Sequence, residues 1–233
     1  MTLKIGTVTI GETPRTDVLA EIRSLITTGV EIIEKGVLDG LSDHEIAGLS
    51  PTKNDEVLVT RLRDGTELKL GRAGILPKMQ ERISELDRED GVDLVVLLCS
   101  GEFPAFDCAK PLITPYRLFQ GVLASISIGG RLGMMLPSPQ QVGPVTTALA
   151  ESGHEIVAVA ASPYGEKEGI VRAAEALREE VDVVFMNCFG YDLDMRALVR
   201  GITGKPIILP RSLLARTVDD LLSDTVTQTS RKD

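Results

Sequence analysis

Two stretches, VDLVVLLCSG at residues 92–101 and VDVVFMNCFG at residues 181–190, follow one plan. Val92, Asp93, Val95, Cys99 and Gly101 match Val181, Asp182, Val184, Cys188 and Gly190 at a constant offset of 89 residues. Each is a short aliphatic, β-branched run that ends at a cysteine, with a glycine two positions on. Nearly continuous apolar runs of this length suit strands buried on both faces, as in a parallel sheet covered by helices.

The remainder of the chain alternates in the same way. Strand-like runs are expected at 4–10, 30–38, 92–99, 111–114, 131–137, 154–161, 181–188 and 206–209. Between them, the stretches 15–27, 73–90, 139–153, 167–180 and 194–202 space their apolar residues as amphipathic helices do. Strands alternating with helices point to βα units. One departure is VLVTRLRDGTELKLGR, 57–72, where Asp64-Gly65 between alternating residues signals a β-hairpin.

Two further pairs of segments match in the same order. KIGTVT (4–9) and RLGMML (131–136) share a basic residue, an aliphatic, a glycine and an apolar run. KPLITPYRLF (110–119) and KPIILPRSLL (205–214) share Lys, Pro, Ile, Pro and Leu at an offset of 95. Three collinear matches indicate an internal duplication. The expected fold is therefore α/β with two pseudo-symmetric lobes, each a mostly parallel four-stranded sheet flanked by helices, and a β-hairpin inserted in the first. Residues 1–115 with 211–233 form the expected N-terminal lobe and 116–210 the C-terminal lobe. Helices begun by Pro115 and Pro210 carry the chain between lobes, and the active-site cleft lies between them.

Composition narrows the function. The 233 residues are 43% hydrophobic, enough for a substantial core. A net charge of −9, with no basic run before Arg231 and Lys232, argues against a nucleic-acid partner. The start, MTLKIGTVTIG, lacks a secretory-leader pattern, and no apolar run reaches membrane-spanning length. A soluble cytoplasmic protein is expected, with three cysteines that fit a reducing compartment. The two histidines, His44 and His154, sit in polar, turn-like contexts, which leaves no imidazole for a zinc site or a catalytic triad. No glycine-rich phosphate loop follows any strand. Neither a metal nor a cofactor is expected, and a homodimer is compatible with this pattern.

In parallel α/β sheets ligands bind beyond the carboxyl ends of the strands, where Cys99 and Cys188 lie. If the lobes share a pseudo-twofold axis, the two thiols face each other across the cleft. Inverting a stereocentre needs a base on one face of a carbon and an acid on the other, and a thiolate and a thiol meet that need. A helix-end dipole or a basic neighbour can lower a thiol from about 8.5 toward working pH. A lone cysteine ending an aliphatic strand is usually only a small core residue; the matched positions in a duplicated frame favour chemistry. Cys108 has no counterpart and is expected to be core filler.

Substrate binding is expected from residues around these ends. In TIGETPR (9–15), Arg15 can grip a carboxylate through its fork or simply be a surface charge. The counterpart loop LPSPQQ (136–141) offers Ser138. Ser100, Gly101, Phe189 and Gly190 offer a hydroxyl and backbone amides. Asp93 and Asp182 lie at the strand starts, the far edge, where turn or cap roles are expected. Met134, Met135 and Met186 need only pack. Aromatic residues make up only 3% of the chain, and Phe103, Phe189 and Tyr191 are those expected near the cleft.

The two-lobed plan with its paired cysteine strands resembles the aspartate/glutamate racemase superfamily, which includes hydantoin racemases and arylmalonate decarboxylases. TIGETPRTDVL, LDGLSDHEI, NCFGYD and KPIILPRSLLAR resemble the AroM family, over nearly the whole chain to about residue 222. The resemblance implies chemistry at an α-carbon without pyridoxal phosphate, with Cys99 and Cys188 as the catalytic thiols of a racemase or epimerase acting on a small carboxylate-bearing molecule such as an amino acid. Where many members of the superfamily carry threonine after the thiol, this chain has Ser100 and Phe189. The alternatives are an isomerase or decarboxylase using one thiol, and a carboxylate-binding protein without turnover.

Overall fold

The computed structural model describes residues 3–126, 129–151 and 155–223; His154, Arg231 and Lys232 lie outside them. The first half runs β1 (Leu3–Thr9), α1 (Thr16–Leu25), β2 (Val30–Gly36), α2 (Asp43–Ala47), β3 (Val57–Arg61), β4 (Glu67–Gly71), α3 (Arg72–Arg88), β5 (Leu94–Leu97) and β6 (Leu112–Ile113). After α4 (Pro115–Ser125) come β7 (Leu132–Leu136), α5 (Pro139–Glu151), β8 (Ile156–Ala160), α6 (Lys167–Leu177), β9 (Val183–Met186), α7 (Leu193–Thr203), β10 (Ile207–Ile208) and α8 (Pro210–Leu222). The short α2 falls where no helix is expected from periodicity. It forms because Ser42 and Glu45 make a capping box.

The strands form two four-stranded sheets, β2-β1-β5-β6 and β8-β7-β9-β10, with every neighbouring pair parallel. Both place the copy's second strand at one edge, then its first, third and fourth. The expected α/β architecture with two equivalent sheets is the one observed. The hairpin is also present: β3 and β4 pair antiparallel from Val57↔Gly71 to Arg61↔Glu67. Its turn needs Gly65, whose φ of +96° is one that side chains with a Cβ adopt only under strain.

The apolar runs are continuous because both faces of each sheet are covered. In β5, Leu94 and Val96 face a central cluster, while Val95 and Leu97 face an outer one. β9 does the same, with Val183 and Phe185 central and Val184 and Met186 outer. The central cluster draws on both sheets and on α1, α4, α5 and α8, through Val18, Phe119, Leu149 and Leu214 among others. One outer cluster holds α3 and the hairpin, the other α6 and α7. From its start at Pro210, α8 packs against α1 and α4.

The aspartates at the strand starts act as backbone clamps, and they do so identically. The Lys4 N–H donates to the Asp93 carboxylate at 2.8 Å and the Arg131 N–H to that of Asp182 at 3.0 Å. In return the Asp93 and Asp182 amides donate to the Lys4 and Arg131 carbonyls at 2.8 and 2.9 Å. Each carboxylate ties the third strand of its copy to the first, at the edge remote from the cysteines. Asp93→Ala and Asp182→Ala should each cost about 1 kcal/mol in urea unfolding and add nearly independently, leaving ligand binding at the opposite edge unchanged.

Candidate active site

Cys99 and Cys188 follow β5 and β9 and line one cavity of about 400 Å³. They are only 9% and 7% exposed. Each sulfur accepts an amide N–H from the glycine two residues on, Gly101 to Cys99 Sγ at 3.5 Å and Gly190 to Cys188 Sγ at 3.3 Å. The repeated Cys-X-Gly pattern thus builds the same local loop twice. Ser100 Oγ crosses between the loops and donates to the Asn187 carbonyl at 3.3 Å.

Glycine is required at 190 by close approach. A Cβ there would stand 2.4 Å from Pro163 Cγ and 2.8 Å from the Tyr164 ring and hydroxyl. Tyr164, in the loop after β8, is thereby laid over the Cys188 loop and into the cavity wall.

Around Cys188 two arginines are buried. Arg15, the N-cap residue of α1, points its fork at its own helix: Nε and Nη2 donate to the two Asp17 oxygens, each at 2.9 Å. Nη1 donates to Thr9 Oγ1 at 3.1 Å and Nη2 also to the Tyr164 hydroxyl at 3.3 Å. Burial works against the Arg15 charge, but Asp17 and Tyr164 outweigh it and hold the guanidinium protonated. Burial likewise pushes the Asp17 carboxyl up, and the Arg15 hydrogen bonds, helped by Arg61 and Arg211, bring it below its ordinary range. Arg15 lines the cavity as expected, but the fork expected to grip a substrate carboxylate is filled by Asp17.

Arg211, at the start of α8, holds the Cys188 loop from behind. Its Nε donates to the Phe189 carbonyl at 2.6 Å and its Nη2 to the Gly190 carbonyl at 3.0 Å. Nη1 reaches the Asp17 carbonyl at 2.7 Å and Glu21 at 3.0 Å. It was not among the expected site residues, although KPIILPRSLL carried the signal: an arginine in an apolar helix start where the first copy has Tyr116.

Desolvation dominates both thiols. Burial pushes Cys99 up to about 12; the Gly101 N–H opposes it, while Cys188 and Glu56 add to it. Burial also raises Cys188, but the Gly190 N–H, Arg15 and Arg211 all pull the other way. The lowering expected from helix dipoles and basic neighbours is therefore outweighed at both sulfurs.

The hairpin supplies a wall. Glu56 to Thr60 line the cavity, and Gln141 Nε2 of α5 donates to the Val57 carbonyl at 2.8 Å. The Ser162 hydroxyl donates to Glu67, and Arg63 Nε to the Thr13 carbonyl at 2.8 Å. The insertion thus bridges to the opposite lobe. Thr60 Oγ1 is buried without a partner among the described residues.

Of the other expected residues, Ser100, Gly101, Phe189 and Gly190 line the cavity. Ser138 does not; it is buried, and its hydroxyl accepts the Gln140 N–H at 3.4 Å. Phe103 and Tyr191 are buried in the outer clusters away from the cavity, Tyr191 donating to the Ala161 carbonyl at 2.5 Å. Cys108, expected in the core, is half-buried at the edge of the first outer cluster. His44 is exposed.

A family model described as AroM protein matches residues 5–222. The chain belongs to the AroM protein family. No curated protein sequence matches it. Among solved structures it is similar to an aspartate racemase of Picrophilus torridus, with a TM-score of 0.62 at 14% identity over 94% of both chains. It is also similar to the maleate isomerase Iso from Pseudomonas putida S16, with a TM-score of 0.59 at 15% identity over 95% of this chain and 93% of that one. An arylmalonate decarboxylase aligns with a TM-score of 0.52 at 16% identity over 94% and 90% of the two chains. This AroM-family chain therefore has the two-lobed fold of racemases, an isomerase and a decarboxylase.

Two outcomes follow from the site's packing and charge. Gly190→Ala should destabilise by about 1–3 kcal/mol in chemical unfolding, because Pro163 and Tyr164 must move to admit the methyl group. Iodoacetamide alkylation followed by mass spectrometry should be slow at neutral pH at both buried thiols and rise with pH as thiolate forms. Cys188 should react at lower pH than Cys99, since Arg15 favours both thiolates but Arg211 adds to it only at Cys188, while each sulfur also has one glutamate against it.

Proposed function

We propose that this protein is a racemase or epimerase of a small carboxylate-bearing molecule, such as an amino acid, that works by proton transfer between two cysteines and without pyridoxal phosphate. One observation carries this reading: equivalent sulfurs, set at the ends of equivalent strands in two duplicated halves, line the same cavity.

The thiolate of one cysteine takes the α-proton into a new S–H bond and leaves the C–H electron pair on the substrate as an enolate-like carbanion. The opposing thiol then gives its proton to the other face and becomes the thiolate, so the reverse reaction starts with the roles exchanged. Cys188 is the sulfur assigned to give up its proton first: burial raises it, but the Gly190 N–H, Arg15 and Arg211 oppose that rise. Cys99, pushed up to about 12 by burial, is the resident acid.

We assign the substrate carboxylate to the Ser100 and Phe189 amides, each directly after its cysteine, because neither donates to a protein acceptor among the described residues. Thr60 offers an unpaired hydroxyl on the hairpin side. A buried hydroxyl without a partner costs about 1–3 kcal/mol, which a ligand's polar atom relieves.

The asymmetry between the sulfurs also supports a second reading, an isomerase or decarboxylase in which Cys188 alone does the chemistry. Candidate acids incubated in deuterated buffer distinguish the two. On the two-thiol reading, deuterium appears at the α-carbon of both enantiomers, and Cys99→Ser and Cys188→Ser each lower racemisation by about 10²–10⁴-fold. A dispensable Cys99 and a product of one hand favour the single-thiol enzyme. Binding with no exchange or other turnover by the wild type in any acid would sink both readings and leave a carboxylate-binding protein.

A further inference from the structure

Beside the main cavity lies a smaller one of about 110 Å³, and the two share Ser100, Tyr116, Val145, Ala148 and Asn187 in their linings. Ser100 follows Cys99 and Asn187 precedes Cys188, so the side cavity adjoins the loops that carry both thiols. Apolar side chains of the central layer line much of it, Phe119 and Leu123 of α4, Met134 of β7, Leu149 of α5 and Phe185 of β9, and Ser100, Tyr116, Gln120 and Asn187 add uncharged polar groups. Phe119 and Phe185 meet edge to face with centroids 5.4 Å apart. Among the described residues no charged one lines this space.

Charge in the main cavity points the same way. Arg15 is the one basic residue in its lining among the described residues, and Asp17 already fills its fork. The other charged residues there are Asp55, Glu56 and Glu102. Glu56, whose pairing partner is Arg72 at 3.2 Å, is raised by burial, with Arg72 opposing and Glu102 adding. A second carboxylate on the substrate would be desolvated with no free cation among the described residues to receive it, and an unpaired buried charge is strongly disfavoured.

We infer that the substrate is a monocarboxylic acid whose α-substituent is uncharged and apolar, and that this substituent lodges in the side cavity between α4 and α5. The volume suits a branched alkyl chain, being somewhat smaller than the roughly 150 Å³ cavity that accepts benzene. A dicarboxylate such as aspartate or glutamate is excluded by the same walls. Met134, expected only to pack, is then part of the substituent's seat.

This inference rests on the reading that the two-thiol cavity is a catalytic site for a small acid, and the experiment separates the two. Calorimetric titration of the full chain with leucine, alanine, aspartate and glutamate, both enantiomers of each, measures binding. Deuterium exchange on the same panel measures chemistry. Wild type should bind a leucine enantiomer at least about tenfold tighter than aspartate or glutamate, the scale on which a filled apolar pocket discriminates. Val145→Phe, which adds bulk where the two cavities meet, should lower leucine affinity about tenfold more than it lowers alanine affinity. Gln120→Lys, which puts a cation on the side cavity's wall, should improve glutamate relative to leucine.

Aspartate or glutamate binding as tightly as leucine overturns the inference, as does a Val145→Phe protein that keeps its leucine affinity or a wild type that binds no monocarboxylate. Leucine binding without exchange leaves the apolar seat standing and removes the two-thiol chemistry. Exchange with aspartate alone does the reverse.

Discussion

Helices α1, α4, α5 and α8 fill the space between the two sheets with apolar side chains, and close-packed side chains do not slide freely past one another. The carboxyl edges of β5 and β9 are therefore held in fixed relation across one cavity. Each strand ends two residues before its cysteine, and each sulfur is pinned by an amide from the glycine that follows. Placement of the thiols is thus a property of the packing between sheets as much as of the loops that carry them.

The same packing makes charge costly. Burial raises both thiols, and the site answers unequally: Arg15 favours both thiolates and a glutamate opposes each, but Arg211 adds its charge only at Cys188, whereas the other sulfur acts against Cys99. Nearly equivalent backbones thus carry unequal acids. An acid–base pair needs such a difference if one member is to start as thiolate and the other as thiol.

The inequality has visible structural sources. Arg211 stands where the first copy has Tyr116, and the hairpin β3–β4 belongs to the first copy only. Through Gln141, Ser162 and Thr13 the hairpin is tied to both sides of the cleft, and it brings Glu56 and the unpaired Thr60 hydroxyl to the cavity. The insertion closes a wall that symmetry alone leaves open, and with Arg15 committed to Asp17 it leaves the cavity poor in free cations.

By itself the sequence determined the doubled α/β plan, the strands and long helices, the hairpin and the pairing of Cys99 with Cys188, because these are written in local periodicity, turn chemistry and repeated spacing. It also placed Asp93 and Asp182 at the remote edge, since strand direction follows from parallel pairing. Only the tertiary structure decided that the Arg15 fork closes on Asp17, that Ser138 turns away, and that Tyr164, Arg211 and the hairpin surround the thiols. Those outcomes depend on which side chains meet across distances of up to 194 residues in sequence, such as Arg211 on the Asp17 carbonyl, and on the balance of burial against charge at each meeting. Neither is encoded in the spacing of residues along the chain.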